Sequence, residues 1–200
     1  MRVSDLPART ADGAGVWKRA AFSRRYNGTP EEAARTCSRT WLAVDGAETA
    51  GAGDWSVITW WGYRDGRYLK LWQDRQQVEY PELRAMVAER IAKRKPNATY
   101  IEKKSSGKAV YQELSRTLPV IGIDVTRSKK DRYNAASPAM EHLCDYPDPK
   151  HAPWMSDYVD RMVAITGEGD EVDDEADADT LGLLAEMSGP APVDYKGMLD

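Results

Sequence analysis

The order of strand-like and helix-like segments constrains this chain more than any other feature of its sequence. Three segments with the residue types of β-strands follow one another at 41–44, 55–61 and 68–72, and an Asp65-Gly66 hairpin signal precedes the third. Strands joined by short connections usually pair as antiparallel neighbours. The first half of the chain therefore predicts a three-stranded antiparallel sheet.

The second half alternates helices and strands. Apolar residues at 83, 86, 87 and 91 predict a helix that Pro96 ends, and a short strand at 98–101 follows. A second helix is predicted from 105 to 118 and a fifth strand at 120–123, with further helices near 129–144, 153–165 and 173–187. Strand–helix–strand units imply parallel pairing with right-handed crossovers, so the fold class is α/β with a mixed sheet flanked by helices.

The chain divides into three predicted regions. Residues 1–39 are irregular and linker-like, but Trp17, Phe22 and Tyr26 indicate that this segment packs on the domain. Residues 40–187 form the domain, and 188–200 are expected to be a disordered tail.

Composition excludes several classes of protein. The chain has 200 residues, of which 42% are hydrophobic and 30% charged, enough to bury a core. It has no run of about 18 apolar residues and no apolar N-terminal segment, so we expect neither a membrane span nor a secretory signal. Two cysteines cannot form a disulfide framework, which favours a cytosolic protein.

Charge is distributed unevenly along the chain. The formal net charge is −4, yet residues 84–132 hold 13 Lys and Arg against 5 Asp and Glu, a local balance of +8. Residues 168–179 hold 8 acidic residues and no basic one. The middle of the chain can therefore bind a polyanion, and the like charges of the acidic run repel one another unless a cation or solvent separates them.

Carboxylates stand at the ends of two predicted strands and at the start of the last helix. Asp45 follows the first strand, Glu102 follows the fourth, and Asp173 and Asp177 share a helix face at spacing i, i+4. Several carboxylates within a few ångströms are costly without a divalent cation between them, and oxygen-only ligands suit Mg²⁺ or Mn²⁺. Two such ions, about 3.5–4 Å apart, can clamp the attacking water and the leaving oxygen of a phosphodiester.

Several motifs in this order resemble the nuclease domain of the large terminase subunit of tailed double-stranded DNA bacteriophages. The similarity runs from about Gly13 to Ala185. Its motifs are Trp41-Leu-Ala-Val-Asp45 with Asp54-Trp-Ser-Val57, Tyr80-Pro-Glu-Leu83, Ile101-Glu-Lys-Lys-Ser-Ser-Gly107, Lys129-x-x-Arg132 with Ser137-Pro138, Ala152-Pro-Trp154, and Val172-Asp-Asp-Glu-Ala-Asp177-Ala. The family often has His where Val172 stands, and commonly a Lys where Glu48-Thr49 stands.

The resemblance implies an RNase H-like fold and a metal-dependent endonuclease that cuts double-stranded viral DNA during genome packaging, with little sequence specificity. Asp45, Glu102 and Asp173 would be the catalytic ligands of two Mg²⁺ or Mn²⁺ ions. In the third motif Asp173 is favoured, with Asp177 next and Asp174 as a further choice. Seven basic residues would contact phosphates: Lys103, Lys104, Lys108, Arg127, Lys129, Lys130 and Arg132.

The implied partners are double-stranded DNA, the terminase ATPase domain, the small terminase subunit and the capsid portal, in the cytoplasm of an infected bacterium. Nothing in the chain matches the ATPase motif G-x-x-x-x-G-K-S/T, so we expect an isolated nuclease domain. Two alternatives stay open. One is another RNase H-like nuclease, such as a junction resolvase or a transposase-like enzyme. The other is a DNA-binding or motor-docking module that does not cleave.

Overall fold

The fold is a central mixed β-sheet with helices on both faces. A computed structural model describes residues 15–47, 55–170 and 172–189. The strands are β1 (Arg39–Asp45), β2 (Ser56–Arg64), β3 (Arg67–Gln76), β4 (Ala98–Glu102), β5 (Ile121–Ile123) and β6 (Cys144–Asp145). A 3-10 helix at Arg19–Phe22 precedes the α-helices, which are α1 (Pro30–Arg35), α2 (Tyr80–Arg94), α3 (Ser105–Leu114), α4 (Lys129–His142), α5 (Met155–Ala164) and α6 (Asp174–Met187).

The sheet has the strand order β5-β4-β1-β2-β3-β6. β1, β2 and β3 are antiparallel neighbours, whereas β4 pairs parallel with β1 and β5 pairs parallel with β4. The predicted mixed sheet is therefore confirmed. The hairpin at Asp65-Gly66 is confirmed too, because both residues have the positive φ angles, 50° and 79°, of a tight hairpin turn.

Three details differ from the sequence prediction. α3 ends at Leu114 rather than Leu118, because the residue before Pro119 is disfavoured in helical conformation and the chain turns there instead. α4 ends at His142, short of the predicted 144. Cys144 begins β6 and pairs with Tyr68 of β3, and this two-residue strand was not predicted because it is too short to show a period.

Alternation along β1 divides the core between the two faces of the sheet. Trp41 and Ala43 point to the face covered by α4, α5 and α6, whereas Leu42 and Val44 point to the face covered by α1, α2 and α3. By the same alternation, Asp45 and Glu102 lie on the first of these faces, which also carries α6.

The N-terminal segment is part of this core where it is described. Trp17 and Phe22 are buried on the α4–α6 face, and Tyr26 is buried on the other face with its hydroxyl donating to the carbonyl of Lys70. The predicted domain boundaries at 39 and 187 stay predictions, and most of the predicted tail, residues 190–200, lies outside the described residues. No helix in the described ranges is long and apolar enough to cross a membrane.

Candidate functional site

Asp45 and Glu102 lie side by side at one edge of the sheet. Each is the last residue of its strand, and the parallel register pairs Val44 of β1 with Ile101 of β4. The next residues, Asp45 and Glu102, therefore stand level and point to the face that carries α6. They are hydrogen-bonded to each other through their side chains.

Burial and neighbouring negative charges make it costly for Asp45 to ionise. Burial raises the pKa of Asp45 well above its ordinary range, and the carboxylates of Asp177, Glu102 and Asp174 raise it further. Burial also raises the pKa of Glu102, although the nearby guanidinium of Arg132 opposes the shift. These two carboxyl groups hold a proton more readily than free ones and favour a cation between them.

Three more carboxylates stand at the start of α6. Asp173 is the residue before the helix, and Asp174 and Asp177 belong to its first turn. Burial raises the pKa of Asp174 to about 6, although the positive charge of Arg75 lowers it. The guanidinium of Arg75 lies 3.8 Å from the Asp174 carboxylate. Burial also raises the pKa of Asp173, although Lys129 opposes it. The charges of Asp177 and Asp174 both raise the pKa of Asp45, and the ammonium of Lys129 contacts Asp173 and Asp177.

Asp177 is the most heavily hydrogen-bonded of these carboxylates. Its Oδ1 accepts from Arg132 Nη2 at 2.8 Å and from the Tyr133 hydroxyl at 2.7 Å. Its Oδ2 lies 2.8 Å from the ammonium of Lys129. All three donors come from the first turns of α4, so α4 and α6 meet at this carboxylate. The sequence motif Lys129-x-x-Arg132 thus places two cations at the acidic site.

All the acidic side chains of this site are carboxylates. Carboxylate oxygens are the ligands that Mg²⁺ and Mn²⁺ prefer. Within the ranges that the structure describes, however, no three acidic, His or Cys side chains close on a single point as metal ligands do. Lys129 lies between Asp173 and Asp177, and its charge offsets the repulsion between them. The residues fit a divalent cation in chemistry and location, provided that the side chains draw together around it.

The seven predicted DNA contacts do not form one uniform group. Lys129 and Arg132 bind Asp173 and Asp177, while Lys103 pairs with Asp124 and Lys130 pairs with Glu168. Lys104, Lys108 and Arg127 are exposed. Arg132 is buried, with a side chain only 7% exposed, so its position suits an internal role better than a phosphate contact.

Two acidic residues of the run anchor α6 instead of joining the site. Glu175 accepts from Gln73 of β3 and from Arg161 of α5, and Asp179 accepts from Thr59, Trp61, Lys70 and Tyr158. Farther along, Glu186 accepts from Arg39 and Tyr100. Sequence reasoning missed these anchors, and the one available signal was a lysine, Lys70, between two leucines of a predicted strand.

Comparison with known proteins gives one family match. The family model of the terminase RNase H-like domain matches residues 42–186, from β1 to the end of α6. A search of curated proteins finds no match.

Two solved structures are similar in fold. One is the large terminase of a thermophilic bacteriophage, with a TM-score of 0.56, 14% identity and 87% of this chain covered. The chain spans 45% of that protein. The other is the nuclease domain of g2p, the large terminase of bacteriophage SPP1, with bound Mn; its TM-score is 0.57 at 11% identity, with 84% of this chain and 97% of that chain covered.

Proposed function

Because the chain belongs to the family of terminase RNase H-like domains, we propose that it is a metal-dependent endonuclease that cleaves double-stranded viral DNA during genome packaging. The observation that supports this proposal is that Asp45 and Glu102 end the paired strands β1 and β4, and that the charges of Glu102 and of Asp177, from the first turn of α6, raise the pKa of Asp45. A fold of this family with these carboxylates suits phosphodiester hydrolysis with little sequence preference.

Four carboxylates would hold the metal: Asp45 and Glu102 from the sheet, and Asp177 and Asp174 from α6. A pair of Mg²⁺ or Mn²⁺ ions held by these residues would lower the pKa of a water so that it can attack as hydroxide, and would stabilise the charge on the departing oxygen. Asp173, which the sequence pattern favours, accepts hydrogen bonds from Lys129 through both of its carboxylate oxygens. It would join the metal ligands when that lysine moves away. The Mn bound to the SPP1 nuclease domain supports the choice of ion.

The protein's own residues would hold the carboxylates in place. They also give the two oxygens of Asp177 different partners. Arg132 and Tyr133 fix Asp177 through Oδ1, which leaves Oδ2 to turn toward a cation. The hydrogen bond between Asp45 and Glu102 requires a proton on one of the two carboxyl groups, so binding of a cation by this pair would be accompanied by release of that proton. No histidine is needed as a general base in this arrangement.

Exposed basic residues would position the DNA backbone. Lys104 and Lys108 follow Glu102 in the chain, before and within α3, and Arg127 lies in the loop between β5 and α4. Contacts from such side chains to phosphates fix the duplex without reading bases. We therefore propose that binding is sequence-tolerant and strongly dependent on salt.

The wider biological setting is also a proposal, because the chain spans less than half of the large terminase from the thermophilic bacteriophage. We propose that the domain works in the cytoplasm of an infected bacterium with a terminase ATPase domain, a small terminase subunit and the capsid portal.

A plasmid-nicking assay tests the proposed activity. Supercoiled DNA is incubated with the protein in Mn²⁺, in Mg²⁺ or in EDTA, and relaxed and linear products are measured. We expect cleavage with either ion, none in EDTA, and a loss of at least about a hundredfold in Asp45→Asn and Glu102→Gln. Asp65→Asn is the matched control, because it makes the same chemical change in an exposed hairpin turn that accepts Asn.

Cleavage assays on branched and linear duplex substrates, together with a DNA-binding measurement, separate the two alternatives. A marked preference for branched over linear duplex DNA would indicate a junction resolvase. DNA binding without cleavage under any metal condition would indicate a docking module and would contradict the proposed activity.

A further inference from the structure

The ammonium of Lys129 occupies an unusual position for a lysine. It is the first residue of α4, and the N-terminus of a helix carries partial positive charge that disfavours a cation. Its Nζ lies 2.7 and 2.8 Å from the two oxygens of Asp173 and 2.8 Å from Asp177 Oδ2. The carboxylates of α6 thus hold this cation where its own helix does not favour it.

The two cations on Asp177 differ in their freedom to move. The side chain of Arg132 is 7% exposed and is enclosed by the core, whereas that of Lys129 is 44% exposed. Lys129 can therefore swing into solvent without disturbing the packing, but Arg132 cannot.

The two carboxylate oxygens of Asp177 also differ in the contacts that they make. Oδ1 already accepts two hydrogen bonds, from Arg132 and Tyr133, so Oδ2 is the oxygen that a metal ion would take. Oδ2 is also the oxygen that Lys129 contacts. A divalent ion and the lysine ammonium therefore compete for one atom.

We propose that Lys129 is a tethered counter-cation of the metal site, which holds Asp173 and Asp177 together in the metal-free protein and gives way when a divalent ion binds. The inference rests on the proposed function, because it assumes that these carboxylates bind a metal. Its consequence is that Lys129 weakens metal binding and, in exchange, keeps the empty site ordered.

Mn²⁺ titration by calorimetry tests the competition directly in the wild type, Lys129→Met and Lys129→Arg. We expect Lys129→Met to bind Mn²⁺ about tenfold more tightly, which corresponds to about 1.4 kcal/mol, and Lys129→Arg to stay close to the wild type because it keeps the charge. Lys130→Met is the control for loss of a neighbouring charge, since the Lys130 ammonium pairs with Glu168 instead.

Thermal unfolding provides a second readout that does not depend on catalysis. Lys129→Met should melt at a lower temperature than the wild type in EDTA, because Asp173 and Asp177 lose their counter-cation. Saturating Mn²⁺ should remove that difference. A purely structural lysine would leave the variant less stable with and without the ion.

The wild-type protein gives a third test if Lys129→Met does not fold. The NMR signal of the Lys129 ammonium, assigned with Lys129→Arg, should shift on addition of Mg²⁺ as its hydrogen bonds to the carboxylates are lost. An unchanged signal at saturating Mg²⁺, or equal Mn²⁺ affinities for all variants, would overturn the role of Lys129 and leave the proposed function intact. Absence of Mn²⁺ binding in every protein, wild type included, would overturn both.

Discussion

The ammonium of Lys70 lies 2.6 Å from the carboxylate of Asp179, and neither side chain has any exposed surface. This pair joins β3 to α6 in the middle of the core. Asp179 also accepts from Thr59, Trp61 and Tyr158, so its charge is fully hydrogen-bonded. The pair fixes the helix that carries Asp177 two residues earlier, and so fixes one side of the candidate metal site.

Replacing Lys70 with Met should lower the free energy of unfolding by about 3–5 kcal/mol, because it leaves Asp179 buried without its counter-ion. Urea unfolding measures the change. The double variant Lys70→Met, Asp179→Asn should recover much of the loss, since no bare charge remains. A Lys70→Met protein within about 1 kcal/mol of the wild type would contradict this view of the pair.

Asp45→Asn should stabilise the protein in EDTA at pH 8. The pKa of Asp45 is raised in the folded state, so folding is opposed once this group must ionise, and stability is lost as the pH rises through the raised pKa. The variant removes this opposition to folding, so we expect a gain in the free energy of unfolding at pH 8. The gain should shrink as the pH falls, because wild-type Asp45 then folds neutral; a gain that is constant between pH 5 and 8 would contradict this prediction.

Gly182→Ala should weaken metal binding from a distance. A Cβ at this position of α6 would lie 2.7 Å from Trp41 Nε1 and 2.9 Å from Ala43 Cβ, so the helix must move away from β1. We expect a cost of about 1–3 kcal/mol in unfolding free energy and a lower Mn²⁺ affinity, since Asp177 moves with the helix.

Gly66→Ala is the matched control for Gly182→Ala. Its φ of 79° makes Ala unfavourable there, but a Cβ would meet no atom within 4 Å and the turn belongs to the β2–β3 hairpin. It should therefore cost stability without changing Mn²⁺ affinity. Equal Mn²⁺ affinities for both variants would show that contact between α6 and β1 does not position the site.

Lys108→Ala and Arg127→Ala should each weaken DNA binding to a similar extent on unrelated sequences. Both side chains are exposed and form no ion pair with another described residue. Loss of one phosphate contact lowers the slope of log affinity against log salt concentration by about 0.9, which fluorescence anisotropy can resolve. Lys150→Ala, which removes an exposed lysine between β6 and α5, should leave the slope unchanged; slopes equal to the wild type in all three variants would contradict the proposed contacts.

Much of the fold could be predicted because strands have a period of two and connections are short. The continuous apolar run Trp41–Val44 made this buried strand recognisable; its alternation then puts Asp45 on the α6 side of the sheet, and the parallel register puts it beside Glu102. The strand ends were thus readable from sequence, and so were the helices whose apolar residues repeat at helical spacing.

The acidic run could not be divided into anchors and site residues from sequence alone. Glu175 and Asp179 are neutralised by side chains that lie far away in the chain, such as Gln73 and Lys70. A β-bulge opposite Trp60 and Trp61 shifts the alternation in β3, so that residues 70 and 73, three apart, both face α6. Neither the bulge nor these long-range pairs produces a pattern of residues that could be recognised in the local sequence.

Anomalous diffraction from crystals soaked in Mn²⁺ tests the central claim most directly, because it locates the ions independently of any activity. The account predicts anomalous peaks between Asp45, Glu102 and Asp177, with the Lys129 ammonium moved away from Asp177. Crystals that take up Mn²⁺ elsewhere, with no peak at these three carboxylates, would contradict it.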